Sequence, residues 1–112
     1  MQGFSLEIAT KGENKTINAQ EILYLCARNR GVLMVTADGE LWVKSTYKGV
    51  KEKLSSTGFF EESCRGFLVN LYAVQRITQD SLLCCMHDVS GEVPLARRRR
   101  KTMKEKTAFV KR

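Results

Sequence analysis

Three arginines stand where a guanidinium group has room to act. Arg30 falls in the turn "RNRG" (28–31) between apolar runs, Arg65 directly precedes the run Phe67-Leu68-Val69, and Arg98 lies inside "RRRR" (97–100). Arginine's planar fork matches guanine O6 and N7 with two parallel hydrogen bonds, whereas lysine offers only a point charge. Arginines carried on loops beside stiff strands can therefore choose among bases. Arg97, Arg99, Arg100, Lys101 and Lys104, clustered in the basic segment, are suited to neutralise phosphates. Each position also has a plainer role open to it. Arg30 can be a solvated turn residue, Arg65 an ion-pair partner of Glu61 or Glu62, and "RRRR" a nuclear-import signal or an unspecific polyanion patch.

Other chemistry lacks its parts. Acid–base catalysis needs a tuned histidine or carboxylate, and the one crowded acidic pair, Glu61-Glu62, is adjacent in sequence and expected to be solvated. No nucleophile elbow, phosphate-gripping glycine loop or H-E-x-x-H pattern occurs. Cys64 next to Arg65 has no partner histidine to make it a nucleophile. Cysteines at 26, 64, 84 and 85 form no C-x-x-C pair and His87 is the only histidine, so a tetrahedral zinc site has no ligand spacing. The cysteines read as small buried hydrophobes in a reducing compartment, with Cys84 and Cys85 on opposite faces of a strand. The expectation is a protein that is not an enzyme, with no metal, cofactor or small-molecule substrate.

Charge points the same way. Of 19 Lys and Arg residues, nine fall in positions 97–112, which hold one of the 12 acidic residues. The body is thus near balance while the end is strongly cationic, and clustered cations favour a polyanion through counterion release. No run approaches the roughly 18 apolar residues that cross a bilayer, and the start lacks a secretion-signal layout. A cytoplasmic protein is expected. Aromatic stripes for stacking bases are missing, since Tyr24, Trp42 and Phe67 fall at core-like strand positions, which disfavours single-strand or RNA binding.

The elements that must position these residues are mainly short strands. "ILYLCA" (22–27), "VLMVT" (32–36) and "ELWV" (40–43) form a meander turned by "RNRG" and by Asp38-Gly39. "AVQRIT" (73–78) and "LLCCM" (82–86) make a second hairpin about "QDS". "EVPLA" (92–96) returns after a "DVSG" turn, and Pro94 marks it as an edge strand. "FSLEIAT" and "KTINA" alternate around "KGEN". In "TYKGVKEKLSSTG", Tyr47, Val50 and Leu54 share a helical face, Thr46 can cap the start and Gly58 the end, so this helix should lie across a sheet. "RRRRKTMKEKTAF" predicts a short basic helix, held mainly by Met103 and frayed beyond Lys106. A single domain over 1–112 is expected, mostly β, with its core at 22–106 and a frayed tail at 107–112.

"FFEESCRGFLVNLYAVQRI" followed by "VPLARRRRKTMKE" resembles the LytTR-type DNA-binding domain of bacterial response regulators. That family carries a phenylalanine, a basic-x-His-Arg-Ser stretch, an aromatic, "LVN", and later a Pro-x-Ser-Arg-Arg pattern before a C-terminal helix. The resemblance spans 22–106. It implies an elongated, mostly β domain of about ten strands in small antiparallel sheets that reads promoter DNA with loops. Its base-contacting positions fall on Arg30, Arg65 and Arg98, the three already singled out. Asn70 and Phe67 then support the binding loop, Asn70 by satisfying backbone groups where the strand ends. The family's basic residue is Glu62 here, its histidine Cys64, and its serines Gly66 and Ala96. Each exchange removes a phosphate contact or adds repulsion, leaving Arg97, Arg99, Arg100 and Lys101 to supply the lost contacts.

The resemblance further implies duplex promoter DNA as partner, two copies on direct repeats, and a link to a receiver domain or sensor kinase. The receiver that usually precedes this module is not in the sequence, so the chain is expected to be a stand-alone regulator or a fragment. A reading from another class is a β-rich protein-interaction module whose basic tail binds polyanions without specificity. Attachment to a membrane surface is disfavoured by the weak apolar face of the terminal helix.

Overall fold

The structure, a computed structural model, describes residues 5–10 and 13–111. The described strands are β1 (Ser5–Thr10), β2 (Glu13–Asn18), β3 (Ile22–Arg28), β4 (Gly31–Thr36), β5 (Gly39–Val43), β6 (Phe60–Cys64), β7 (Phe67–Asn70), β8 (Val74–Ile77), β9 (Ser81–Met86) and β10 (Val89–Pro94). Two α-helices, α1 (Tyr47–Ser55) and α2 (Arg100–Val110), complete them, with short 3-10 turns at Ala19–Glu21, Leu71–Ala73 and Arg97–Arg99. The strands pair antiparallel as a β1-β2 hairpin, a five-stranded sheet of order β5-β4-β3-β7-β6, and a three-stranded sheet of order β10-β9-β8. The mostly β fold in small sheets, with one mid-chain and one C-terminal helix, agrees with the sequence reading. Principal extents are 40 × 32 × 26 Å.

The five-stranded sheet is apolar on both faces because its central strands are nearly continuous apolar runs, and an irregularity in β3 sets which side chains reach each face. The register of β3 with β4 shifts between Ile22 and Tyr24. An extra residue reverses which face the following side chains reach. Ile22 and Leu25 enter the layer beneath α1, whereas Leu23 and Tyr24 enter the layer shared with the second sheet.

In α1 the Thr46 hydroxyl accepts the Gly49 N–H at 3.0 Å, and the chain leaves the helix through Gly58 at φ +81°. Val50 and Leu54 are buried against Ile22, Leu25 and Met34. Each such burial contributes about 1.5 to 3 kcal/mol. On the other face, Leu82, Cys84, Val93 and Leu95 pack with Val69, Val74 and Met103. Pro94 lies in β10 at a sheet edge, where its missing N–H leaves no ladder bond unmade. Cys84 is fully buried while Cys85 is partly exposed, and burial pushes the Cys84 thiol up to about 12.

Two expectations are corrected. The turn before β10 is His87-Asp88, with His87 at φ +55°, rather than "DVSG". Val89, Ser90 and Gly91 belong to the strand, opposite Met86, Cys85 and Cys84. Gly91 is there for space: a Cβ would stand 2.7 Å from the Tyr24 ring and hydroxyl.

The second correction concerns α2, which begins at Arg100, after the 3-10 turn, and continues past Lys106 to Val110. It does not fray at Lys106 because Met103 and Thr107 are buried and Val110 packs on the same core. The Lys106 ammonium also meets Glu61 at 2.8 Å, and that of Lys111 donates to the Val74 carbonyl. The turn expected at 11–14 lies partly outside the described residues, as does Arg112.

Candidate nucleic-acid interface

Arg30 occupies a two-residue hairpin turn between β3 and β4, with Asn29 at φ +49° and Arg30 at φ +63°. Such mirrored turns match strand twist but require two left-handed residues, a conformation costing roughly 1–2 kcal/mol for a residue with a Cβ. The turn is braced from β5. Gly31 lies so close under Trp42 that a Cβ would stand 2.5 Å from Cζ2, and the indole N–H points to the Arg28 carbonyl at 3.4 Å.

Arg65 shares the next turn with Gly66, between β6 and β7, where Gly66 takes φ +84° and Cys64 opposes Phe67. Phe67 also opposes Cys26 of β3, and the Ala27 N–H donates to the Gly66 carbonyl at 3.0 Å. This turn therefore sits against the end of β3 that carries the Arg30 turn.

Arg98 lies in the 3-10 turn Arg97–Arg99. The Ala96 N–H donates to the Ser63 carbonyl at 2.9 Å, and the Ser63 hydroxyl donates to the Pro94 carbonyl at 3.0 Å. The basic turn thus begins beside Ser63, next to the Cys64-Arg65 step.

The three arginines occupy one end of the β body, and all three are exposed. Among the described residues none of them has an ion-pair partner. The pairing considered for Arg65 is not made: Glu61 holds Lys106, and Glu62 holds Lys51 and Arg99.

At the end of β7 away from the Arg65 turn, Asn70 is buried and joins three elements. Its Nδ2 donates to the Ile22 carbonyl at 2.9 Å, and its Oδ1 accepts the Tyr72 N–H at 2.9 Å, capping the 3-10 turn after β7. Asn18 caps the turn after β2 in the same manner. Phe67 is half-buried against the second core. Phe67 begins β7 at the Arg65 turn, whereas Asn70 ends that strand beside Phe60 and Ile22, so the direct support of the binding loop expected of Asn70 is not made.

The phosphate candidates divide. Arg97, Lys101 and Lys104 are exposed and, with Arg100, Gln79 and Glu105, line an open groove between the β8–β9 turn and the start of α2. Arg100 gives its Nε–H to the Thr78 carbonyl at 3.2 Å, which anchors its stem. Arg99 departs from the role expected of it, because both ends of its fork are engaged within the protein. Nη2 lies 3.1 Å from Glu62 Oε1, and Nη1 donates to the Glu62 carbonyl at 3.3 Å.

Glu62 also accepts the Tyr47 hydroxyl at 2.8 Å and faces Lys51 at 3.3 Å. Burial pushes its carboxyl up, but the hydrogen bonds from Tyr47 and Lys51 and the charges of Lys51 and Arg99 outweigh that, holding it below the ordinary Glu value. Burial, with the hydrogen bond to Glu62, raises the Tyr47 phenol, which stays neutral. Sequence reasoning took Glu62 as repulsion toward DNA; the structure gives its charge internal partners. The bracing of the first loop by Trp42 was missed, since only the fold brings it beside Gly31 and Arg28.

The far end of the five-stranded sheet is acidic. Glu21, Asp38 and Glu40, together with Lys15, line a depression at the β4–β5 turn, and Glu21 lies 3.5 Å from His87. Among the described residues no helix is long and apolar enough to cross a membrane, and no cluster of three metal-ligating side chains occurs.

A stiff β scaffold with unpaired arginines on neighbouring turns and a largely basic groove beside them defines a domain with a surface suited to a polyanion. The family is shown directly: the LytTr DNA-binding domain model matches residues 12–108, and the chain belongs to that family. Among solved structures it resembles the LytTr DNA-binding domain of a Bacillus cereus protein named as a methyl-accepting/DNA response regulator. The two share 18% identity and a TM-score of 0.68 over 96% of this chain and 98% of that one. A comparison with curated proteins found no match.

Proposed function

We propose that this domain binds promoter DNA sequence-specifically as a bacterial, cytoplasmic transcription regulator. Arg30, Arg65 and Arg98 enter grooves of the duplex, and Arg97, Lys101, Lys104 and the outer part of Arg100 lie on phosphates. What supports the reading is the gathering of three exposed, unpaired arginines on rigid corners at one end of a family-typical scaffold. Two copies on direct repeats, under the control of a receiver domain or sensor kinase, is the arrangement in which such a domain would work.

The test begins with enrichment of a binding site from a random duplex library. Arg65→Ala and Arg98→Ala should each cost about 1 to 3 kcal/mol on the enriched site and much less on unrelated DNA. Lys101→Gln should weaken binding to all sequences and flatten the salt slope by about one. Equal losses on both duplexes for the two arginine variants would reduce those residues to phosphate contacts and overturn sequence reading by the rim.

A further inference from the structure

Glu62 lies in β6, next to Ser63, which anchors the basic turn, and its side chain is only 12% exposed. It joins α1, through Tyr47 and Lys51, to the 3-10 turn bearing Arg98, through Arg99. The Arg99 contact fixes direction as well as charge. One guanidinium nitrogen meets the Glu62 carboxylate and another its main-chain carbonyl, so the fork has a single orientation on β6. In a 3-10 turn successive side chains diverge by roughly 120°. Pinning Arg99 inward therefore sets the azimuth of Arg98, which remains exposed.

The same contact keeps a cation off the DNA. Arg99 would otherwise be a mobile arginine within reach of any phosphate, adding affinity without choice of sequence. We propose that Glu62 is a positioning residue for recognition: by clamping Arg99 to β6 it aims Arg98 relative to Arg65 and withholds Arg99 from unspecific binding. This rests on the DNA-reading role given to Arg65 and Arg98 above.

The experiment compares the whole domain with its Glu62→Gln and Arg99→Gln variants on the enriched duplex and on a scrambled one, across about 50 to 200 mM salt. Glu62→Gln should lower discrimination between the duplexes about tenfold. It should also tighten binding to the scrambled duplex and steepen its salt slope by about one. Arg99→Gln should lower discrimination to the same extent with no gain on scrambled DNA, and the double variant should be no worse than Arg99→Gln alone. A merely structural loss would lower the active fraction and weaken both duplexes in proportion, and that result overturns the proposal, as does an unchanged ratio. Should Glu62→Gln not fold, the ratio measured for Arg99→Gln decides. If Arg65→Ala and Arg98→Ala leave discrimination intact, the underlying reading falls. If they abolish it while Glu62→Gln does not alter it, only the positioning role falls.

Discussion

Arg30 holds its backbone at φ +63° in a position where glycine is the unstrained choice, so the side chain is retained against the local preference of the chain. Left-handed geometry costs roughly 1–2 kcal/mol for a residue with a Cβ. Exchanging Arg30 for Gly removes that strain, while glycine's greater freedom in the unfolded chain returns about 0.5 to 1 kcal/mol of it. The net expectation is a gain of about 0.5 to 1 kcal/mol. Arg30→Ala keeps the strain and gains nothing. In urea titrations with a slope of about 2 kcal/mol per M, the glycine variant should unfold about 0.25 to 0.5 M later than the alanine variant, at equal slope. Both variants should lose about 1 to 3 kcal/mol on the enriched duplex, because the fork is gone from each. The domain would thus become more stable and less able to read DNA. A glycine variant no more stable than the alanine variant, or one that binds as tightly as the parent, would refute the argument that strain here is held for function.

Three further outcomes are expected. Gly31→Ala places a methyl 2.5 Å from Trp42 and 2.6 Å from the Val43 carbonyl, so it should cost about 1 to 3 kcal/mol. It should also shift the emission of the single tryptophan to longer wavelength. Asn70→Ala should cost about 2 to 4 kcal/mol, by removing a turn cap and stranding the Ile22 carbonyl. Asn70→Asp, which keeps the cap acceptor but sets a buried carboxylate oxygen against the Ile22 carbonyl, should cost at least as much in urea at neutral pH. For Glu62, the folded-state carboxyl titrates below its ordinary value of 4.5, so its contribution is present above that value and fades as pH falls through the lower folded one. Tyr47, Lys51 and Arg99 are the groups that face it. The stability gap between the parent and Glu62→Gln should therefore be full at neutral pH and close in acid. A gap that persists to about pH 2 would contradict the assignment.

Much of the scaffold was legible because it is local. "ADG" turns a hairpin, although on Ala37-Asp38 with Gly39 (φ +114°) opening β5 opposite Thr36, while Thr46 caps α1, Gly58 ends it, and Pro94 sits on an edge, each for reasons contained within a few residues. The same holds for the loop placement of Arg30 and Arg65 and for the capping amide of Asn70. Where local signals competed, the reading slipped. "DVSG" carries turn residues, yet pairing with Met86–Cys84 drew Val89–Gly91 into a strand and left the turn to His87-Asp88. Repulsion among the basic residues argued for a helix fraying at Lys106, but burial of Met103 and Thr107 outweighs it.

By itself, then, the sequence determined most of the segments that are strands, roughly where the chain turns between them, and that Arg30 and Arg65 stand at such turns, since steric and hydrogen-bond preferences act over a few residues. Tertiary structure decided which turns meet. β3 accepts β4 on one side and β7 on the other, and that pairing across distant segments, driven by burial of its two apolar faces, brings Arg30 and Arg65 to one end. It also decided that Glu62 takes Arg99 for itself and that Trp42 braces the first loop. Charge neutralisation and close packing depend on which surfaces come together, and those partners are not neighbours along the chain.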